Sequence, residues 1–222
     1  MSSWKGNKLV KSVSTIKNPA KTNTVAITIC VNFADKLKFS LEINAPMMKK
    51  IYVVTDPSDS KTLELCKNYK NVETLVCGDA FKNGAKFNKS GLLKYAQVKI
   101  TPNHREDWII IIDADTILPS TFWEESIRGR FMDDTVYLLK RKIYKTYDDF
   151  KNNKYTKLQT GCGFFQMYYD KSRMYSDFSE SAAVCDILFQ QLFRNQKELE
   201  GYCIHLGQNG LDWNGRISNE WT

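Results

Sequence analysis

The sequence predicts an α/β fold, with a mixed, mostly parallel central sheet flanked by helices. Three observations predict it. Unbroken apolar runs rich in β-branched residues recur at 25–31 (VAITICV), 51–55 (IYVVT) and 108–112 (WIIII). Strands buried on both faces read as such runs. Stretches of helical spacing separate them, and the resulting β-α-β-α-β-α-β alternation calls for crossover helices covering a parallel sheet.

Taken in order, residues 25–31 form the first strand, and 35–44 a helix that must end before Pro46. Residues 51–55 form the second strand. It runs into Asp56-Pro57-Ser58-Asp59, which combines turn and N-cap chemistry. A helix to about Tyr69 carries Leu63, Leu65 and Cys66, and 72–77 is a third, shorter strand. Residues 87–100 place Leu92, Leu93, Ala96 and Ile100 on one helical face. The WIIII strand leads directly into Asp113. Beyond it the pattern loosens. Residues 120–127 read as a short helix, and 136–144 and 163–169 as strands. The Lys/Asn-rich 145–157 between these strands reads as helix and loop. Residues 179–195 read as an amphipathic helix with Val184, Leu188 and Leu192 in one row and Phe189 and Phe193 beside it. The tail from Gly201 reads as loop.

Length and composition narrow the classes. The chain has 222 residues, enough for one α/β domain, with 42% hydrophobic and 26% charged residues. Disordered, collagen-like and disulfide-scaffold chains are excluded by that balance. Residues 1–50 hold nine lysines against Asp35 and Glu42, which equals the whole net charge of +7. Residues 51–222 are balanced at 23 basic and 23 acidic residues. A dedicated nucleic-acid binder would carry its basic excess on the body, so nucleic acid is not the expected partner. Residues 1–24 form a basic polar segment without periodicity. It reads as a solvated terminus, the alternative being contact with nucleic acid or an anionic membrane. No apolar stretch reaches the length of a signal sequence or a membrane span, so a cytoplasmic location is expected. The six cysteines show no Cys-x-x-Cys spacing, which points to reduced, mostly buried thiols.

Asp113-Ala114-Asp115 is the chain's one Asp-x-Asp. In open α/β sheets ligands bind at the carboxyl ends of strands, and this pair leaves the sheet there. Alternation would point both carboxylates to one side if strand geometry persisted. Two such groups stay ionised together when a divalent cation joins them, and oxygen ligands suit Mg²⁺ or Mn²⁺. The alternative is a solvated turn with a helix N-cap.

Together with VAITICVN, IYVVTD, FNKSGLLKYAQ, WIIIIDADTILP, TGCGFFQM, VCDILFQQLF and HLGQNGLDWNGR, this pair resembles the GT-A-fold glycosyltransferases, which use nucleotide-sugar donors. The small glycosyltransferase domains of large algal viruses are of this kind. The resemblance spans roughly 24–216 and implies a single catalytic domain over 25–222, with a nucleotide-binding half to about 118 and an acceptor half from about 119. It implies that Val31, Asn32 and Asp56 hold the base and ribose, with Asp56 as the uracil-contacting acid. By the same resemblance Lys89 lies near the diphosphate or sugar, and Asp113 and Ala114 line the donor. Asp115, with Asp113 and His205, would form the metal shell. Gly161 and Cys162 would line the sugar and acceptor site, and Arg216 would contact the diphosphate. Asp186 falls at the second acid of the Glu-Asp pair of inverting members, although Cys185 stands where the Glu would be.

The reaction implied is transfer of a sugar, UDP-glucose being the default donor, to a carbohydrate or other hydroxyl acceptor. Asp186 is the base if the configuration inverts and a sugar-positioning group if it is retained. Each residue also has a plain reading: Lys89 as a solvated lysine, His205 as a loop histidine, Asp186 as a surface acid, Arg216 as a packing residue. Two rival functions share the features. A haloacid-dehalogenase-type phosphatase also places Asp-x-Asp after an apolar strand, but it wants Thr or Val where Ile117 stands, and it puts that strand first. A nucleotide- or nucleic-acid-binding module would rely on the basic front end. The chain's size equals that of the group's shortest catalytic domains, so it can be one module of a longer protein.

Overall fold

The computed structural model describes residues 16–161, 163–182 and 184–207. The first half alternates as the sequence predicts: β1 (Thr24–Ile29), α1 (Ala34–Asn44), β2 (Lys50–Thr55), α2 (Ser60–Cys66), β3 (Val72–Val76), α3 (Lys89–Ile100) and β4 (Trp108–Ile112). Pairing is parallel throughout this half, with Ala26 opposite Ile51 on one side and Ile110 on the other. Period-two alternation then divides the apolar side chains between the two faces. Ala26, Val53, Trp108, Ile110 and Ile112 pack with Leu37 and Leu41 of α1, while Val25, Ile27, Val54, Ile109 and Ile111 pack with Leu92, Leu93 and Ala96 of α3. Each large aliphatic side chain so buried stabilises the fold by about 1.5–3 kcal/mol.

The second half continues as β5 (Thr116–Ile117), β6 (Thr135–Tyr144), α4 (Tyr147–Lys151), β7 (Lys157–Gln159), β8 (Phe165–Tyr168), α5 (Cys185–Gln190) and β9 (Asn195–Leu206). These strands extend the same sheet in the order β3-β2-β1-β4-β8-β6-β9-β5, with β7 beside β6. β8 is antiparallel to both β4 and β6, and β9 is parallel to β6. Two reversals restore the direction, so β6 and β9 run with β1–β4. Their carboxyl ends reach the same edge as Asp113.

Three sequence expectations are corrected or refined. The helix expected over 179–195 is confined to α5. Val184, Leu188 and Leu192, the expected core row, are 56%, 57% and 42% exposed, whereas Cys185, Phe189 and Phe193 are buried. Phe189 stacks on Tyr175 at 4.2 Å and packs edge-on to Tyr168, and this aromatic contact fixes which face turns inward. The loop expected from Gly201 is instead the end of β9, paired with β6 up to Tyr144 and Leu206. The short helix expected near 120–127 is a π-helical turn, Phe122–Ser126. Of the cysteines, Cys30, Cys66, Cys185 and Cys203 are buried free thiols and Cys77 is half-buried.

Candidate active site

The strand geometry of β4 stops at Ile112, and a turn closed by Thr116 N donating to Asp113 O (3.0 Å) follows. The turn is pegged by polar groups from two other elements. Ser40 Oγ of α1 donates to Ala114 O (2.7 Å), and Asn44 Nδ2 donates to Thr116 O (2.8 Å). From β9, Leu206 N donates to Asp115 O (2.8 Å). The two carboxylates take different nearest partners, Lys89 for Asp113 and His205 for Asp115, while the Arg141 charge acts on both.

The first cluster centres on Lys89. Its ammonium donates to Asp113 Oδ1 (2.9 Å), Asp186 Oδ2 (2.9 Å) and Gly163 O (2.8 Å). An ammonium has three protons, and these three bonds use them all. Burial works to lower the Lys89 pKa, but Asp113 and Asp186 reverse it and hold it well above the ordinary lysine value. Asp186 lies at the start of α5 and is 5% exposed. Burial, opposed by Lys89 and reinforced by Asp113, pushes its carboxyl up to about 6. Gly163 leaves room for it: a Cβ there would sit 3.2 Å from Asp186 Oδ2.

The FNKSG segment explains how Lys89 is aimed. Asn88 caps α3 by accepting from Gly91 N (3.2 Å), and it also accepts from Ser179 N (2.8 Å). Ser90 Oγ donates to Ser176 O (3.0 Å). The 176–179 loop lies so close that a Cβ on Gly91 would sit 2.6 Å from Asp177 O. Glycine is required there by close approach, and the loop leading to Asp186 is thereby locked onto the helix carrying Lys89.

The second cluster centres on Asp115, which is 5% exposed. His205 Nδ1 is 3.4 Å from Asp115 Oδ1, and Arg141 Nη1 is 3.4 Å from the same ring nitrogen. Burial works to raise the Asp115 carboxyl, but His205, Lys36 and Arg141 outweigh it and hold the group below the usual carboxylate range. Arg141 is fixed by Gln159 Oε1 (2.9 Å to Nη2) and lies over the Phe164 ring at 4.3 Å. His205 Nε2 is buried and has no hydrogen-bond partner among the described residues. Asp115 lies at the other ring nitrogen, so Nε2 carries the lone pair that His205 itself could offer a divalent cation. The described residues contain no group of three or more His, Cys, Asp or Glu that could hold a metal ion. A cation here would therefore take further ligands from substrate phosphate and water, as small hard cations commonly do.

At the ends of β1 and β2, Val31 is buried and Asn32 takes a positive φ of 63°. Asn32 N donates to Asp59 Oδ2 (2.7 Å), and Asp59 also accepts from Thr62 N (3.1 Å) and Thr62 Oγ1 (2.6 Å). Asp59 is thus the hub joining the two strand ends. The Asp56 carboxylate accepts from Ser58 N (3.0 Å) and Ser58 Oγ (2.6 Å) in an Asx turn. Gly161 is exposed. Cys162 and Arg216 lie outside the described residues.

Among the expected residues, Lys89, Asp113 and Asp186 come together, as do Asp115 and His205. Sequence reasoning missed Arg141, Lys36 and Tyr175. Arg141 had a legible signal: Tyr137, Leu139, Arg141 and Ile143 alternate along β6 and are all buried, so the arginine sits on an otherwise apolar face. Lys36, buried in the first turns of α1, had none.

The sequence matches no family model, and no curated sequence matches it. Solved structures do match in fold. Glucosyl-3-phosphoglycerate synthase from Mycobacterium tuberculosis, solved with Mn²⁺, UDP and phosphoglyceric acid, is similar over 84% of this chain and 72% of that one, with a TM-score of 0.51 at 9% identity. Inositol-1-phosphate CTP transferase from T. maritima covers 87% of this chain and 92% of its own, with a TM-score of 0.49 at 12% identity. A 4-diphosphocytidyl-2C-methyl-D-erythritol synthase covers 90% and 94%, with a TM-score of 0.48 at 13% identity. These neighbours are nucleotidyl- and glycosyltransferases, and the fold of this chain is GT-A-like.

Proposed function

We propose that the protein is a divalent-metal-dependent glycosyltransferase that moves a sugar from a nucleoside diphosphate sugar to an acceptor hydroxyl. The observation that carries this reading is the convergence of Asp113, Lys89 and Asp186 beside Asp115 and His205 at the carboxyl edge of the sheet. The GT-A-like fold and the Mn²⁺–UDP complex of one neighbour support it. A uracil nucleotide is the favoured donor, with Asp56 at the end of β2 as its base-contacting acid and UDP-glucose as the default.

Asp115 and His205 would hold Mn²⁺ or Mg²⁺, which when bound supplies Lewis-acid stabilisation of the leaving diphosphate. The chain's own residues supply the rest. Arg141, stacked on Phe164 and wired to Gln159, places a fixed positive charge beside His205. A preorganised charge of this kind costs no reorganisation when negative charge develops on the leaving group. Lys89 holds Asp113 and Asp186 in one arrangement. Asp186 takes the proton of the acceptor hydroxyl, which is the role an inverting reaction requires.

A thermal-shift panel of nucleotide sugars, with and without Mn²⁺, tests the donor assignment. Ligands that bind the folded state raise the melting temperature by mass action. UDP-sugars should raise it, and more so with Mn²⁺. Stabilisation by CTP together with a sugar phosphate, and not by any nucleotide sugar, would move the reading to nucleotidyl transfer. Asp115→Ala should lose metal-dependent donor hydrolysis while staying folded, and full activity in that variant would remove the metal role. The product's anomeric configuration by NMR reports inversion or retention directly.

A further inference from the structure

The hydrogen-bond geometry around Asp186 determines where a proton lies. The Gln166 side chain reaches both Asp186 and Tyr175. Its Nε2 donates to the Asp186 backbone O (2.9 Å), and its Oε1 is 2.7 Å from Tyr175 OH. A backbone carbonyl only accepts, so the amide must turn its NH₂ toward it, and the flipped amide would set two acceptors face to face. The Oε1 atom therefore faces Tyr175, and it too can only accept. Tyr175 has one proton to give, and Gln166 takes it. Its phenol oxygen then presents lone pairs to Asp186 Oδ1, 2.8 Å away. Two oxygens that close attract each other only through a proton, and the remaining source of one is the carboxyl itself.

We propose that Asp186 carries a proton on Oδ1 in the resting protein, held there by Tyr175 and Gln166 acting as positioning residues that set when the group becomes a base. The buried charge agrees. One ammonium, Lys89, faces two carboxylates. With Asp186 neutral, Lys89 and Asp113 form a balanced pair, whereas two ionised acids would leave unpaired buried charge, which is costly. The groups facing the carboxyl are Lys89 from α3, Asp113 beyond β4, Tyr175 from the loop before α5, and Cys185 beside it. Burial pushes the Cys185 thiol up to about 12, so it adds no charge at neutral pH. Tyr168 of β8 is engaged by Gln97 Nε2 (2.6 Å). Burial and Asp113 raise the Asp186 carboxyl to about 6 against the Lys89 ammonium.

The catalytic meaning rests on the glycosyl-transfer reading. On that reading Asp186 accepts a proton from the acceptor only after it has released its own to solvent, and turnover rises with pH through its titration. The proton assignment itself needs no substrate to test. The full chain is labelled with carboxyl-¹³C aspartate and titrated by NMR, with Asp186→Asn identifying the resonance. Asp186 should remain protonated at pH 5, where ordinary aspartates of pKa about 3.9 are ionised. Tyr175→Phe and Gln166→Leu should each lower its midpoint by about one pH unit, since Tyr175 bonds only the protonated form.

An Asp186 already ionised at pH 5 overturns the proposal. So does a higher midpoint in Tyr175→Phe, because a phenol donating to the carboxylate would stabilise the ionised form. Should Gln166→Leu fail to fold, the wild-type midpoint and Tyr175→Phe decide. A chain that shows the shifted midpoint but transfers no sugar keeps the proton assignment and loses the proposed function. One that transfers sugar with Asp186 ionised at pH 5 does the reverse.

Discussion

Replacing Lys89 by Met removes the ammonium and keeps most of the side-chain volume. The lysine side chain is 8% exposed, and its partners Asp113 and Asp186 are 31% and 7% exposed. Breaking a buried ion pair by removing one partner costs about 3–5 kcal/mol. Water reaches Asp113, so the low end applies, about 3 kcal/mol at pH 7.5. For a chain of this size that corresponds to a melting temperature lower by about 6–12 °C. The pH dependence follows from Asp186. Its carboxyl is already raised by burial, and loss of Lys89 raises it further. A carboxyl whose folded value lies above its unfolded value is least costly while protonated, and stability falls as pH rises through the folded value. The Lys89→Met deficit should therefore shrink at pH 5 and reach its full size at pH 7.5. Lys89 stays protonated at both pH values, which lie below the ordinary lysine pKa of about 10.4, so the change in the deficit comes from Asp186. Adding Asp186→Asn to Lys89→Met should recover most of the loss at pH 7.5, where Asp186 has given up its proton and its carboxylate would otherwise face no ammonium. Urea and thermal unfolding at the two pH values measure all of this. A Lys89→Met melting temperature within about 2 °C of wild type at pH 7.5, or a deficit larger at pH 5, refutes the clamp.

Other outcomes follow from close approaches and from Asp115. Gly91→Ala would press a Cβ to 2.6 Å from Asp177 O, so it should destabilise by about 2–3 kcal/mol in urea unfolding. Gly163→Ala meets Asp186 Oδ2 at 3.2 Å. Because Lys89 and Tyr175 hold that carboxyl, the variant should lose about tenfold in turnover for a stability cost near 1 kcal/mol. A depressed carboxyl such as Asp115 contributes stability that is present above its unfolded pKa of about 3.9 and is lost as pH falls toward the folded value. Asp115→Asn should accordingly melt lower than wild type at pH 6, by about 1–3 kcal/mol of stability, and the gap should narrow below about pH 3.

The first half was legible because β1, β2 and β4 are buried on both faces, where nothing interrupts the apolar run. Helix α3 could be read from Leu92, Leu93 and Ala96 for the same reason. β9 was not legible: NQKELEGYCIHL exposes most of its first eight residues. Its partner β6 supplies the hydrogen bonds, and no local pattern records a partner some sixty residues away. Gly201, at a φ of 93°, added a turn signal inside the strand. Around α5 the apolar row Val184, Leu188 and Leu192 matched in number Cys185, Phe189 and Phe193, which actually face inward. A tertiary contact, the stacking of Phe189 on Tyr175, settled that face, and periodicity carries no information about it. At the site, the strand-end position of Asp113 and Asp115 was readable. Their nearest partners were not, because Lys89 and His205 come from distant parts of the chain.

Charge counted along the chain and charge placed by the fold give different accounts of the lysine-rich front end. The nine lysines in residues 1–50 account for the net excess, and by count alone they read as solvated charge. Lys36 breaks that assignment. It is 5% exposed, and a Cβ added at Gly207 would lie 2.6 Å from its Nζ. Gly207 takes a φ of 105°, a conformation that favours glycine, and a side chain there would have to displace the Lys36 ammonium. A lysine from α1 thus lies against the residue that follows β9, and together with His205 and Arg141 it holds the Asp115 carboxyl below its usual range. Three basic groups from α1, β6 and β9 thus meet one carboxylate at the edge where parallel strands end. A buried field of fixed charges acts without reorganising, so the electrostatic environment of Asp115 is set by the fold itself.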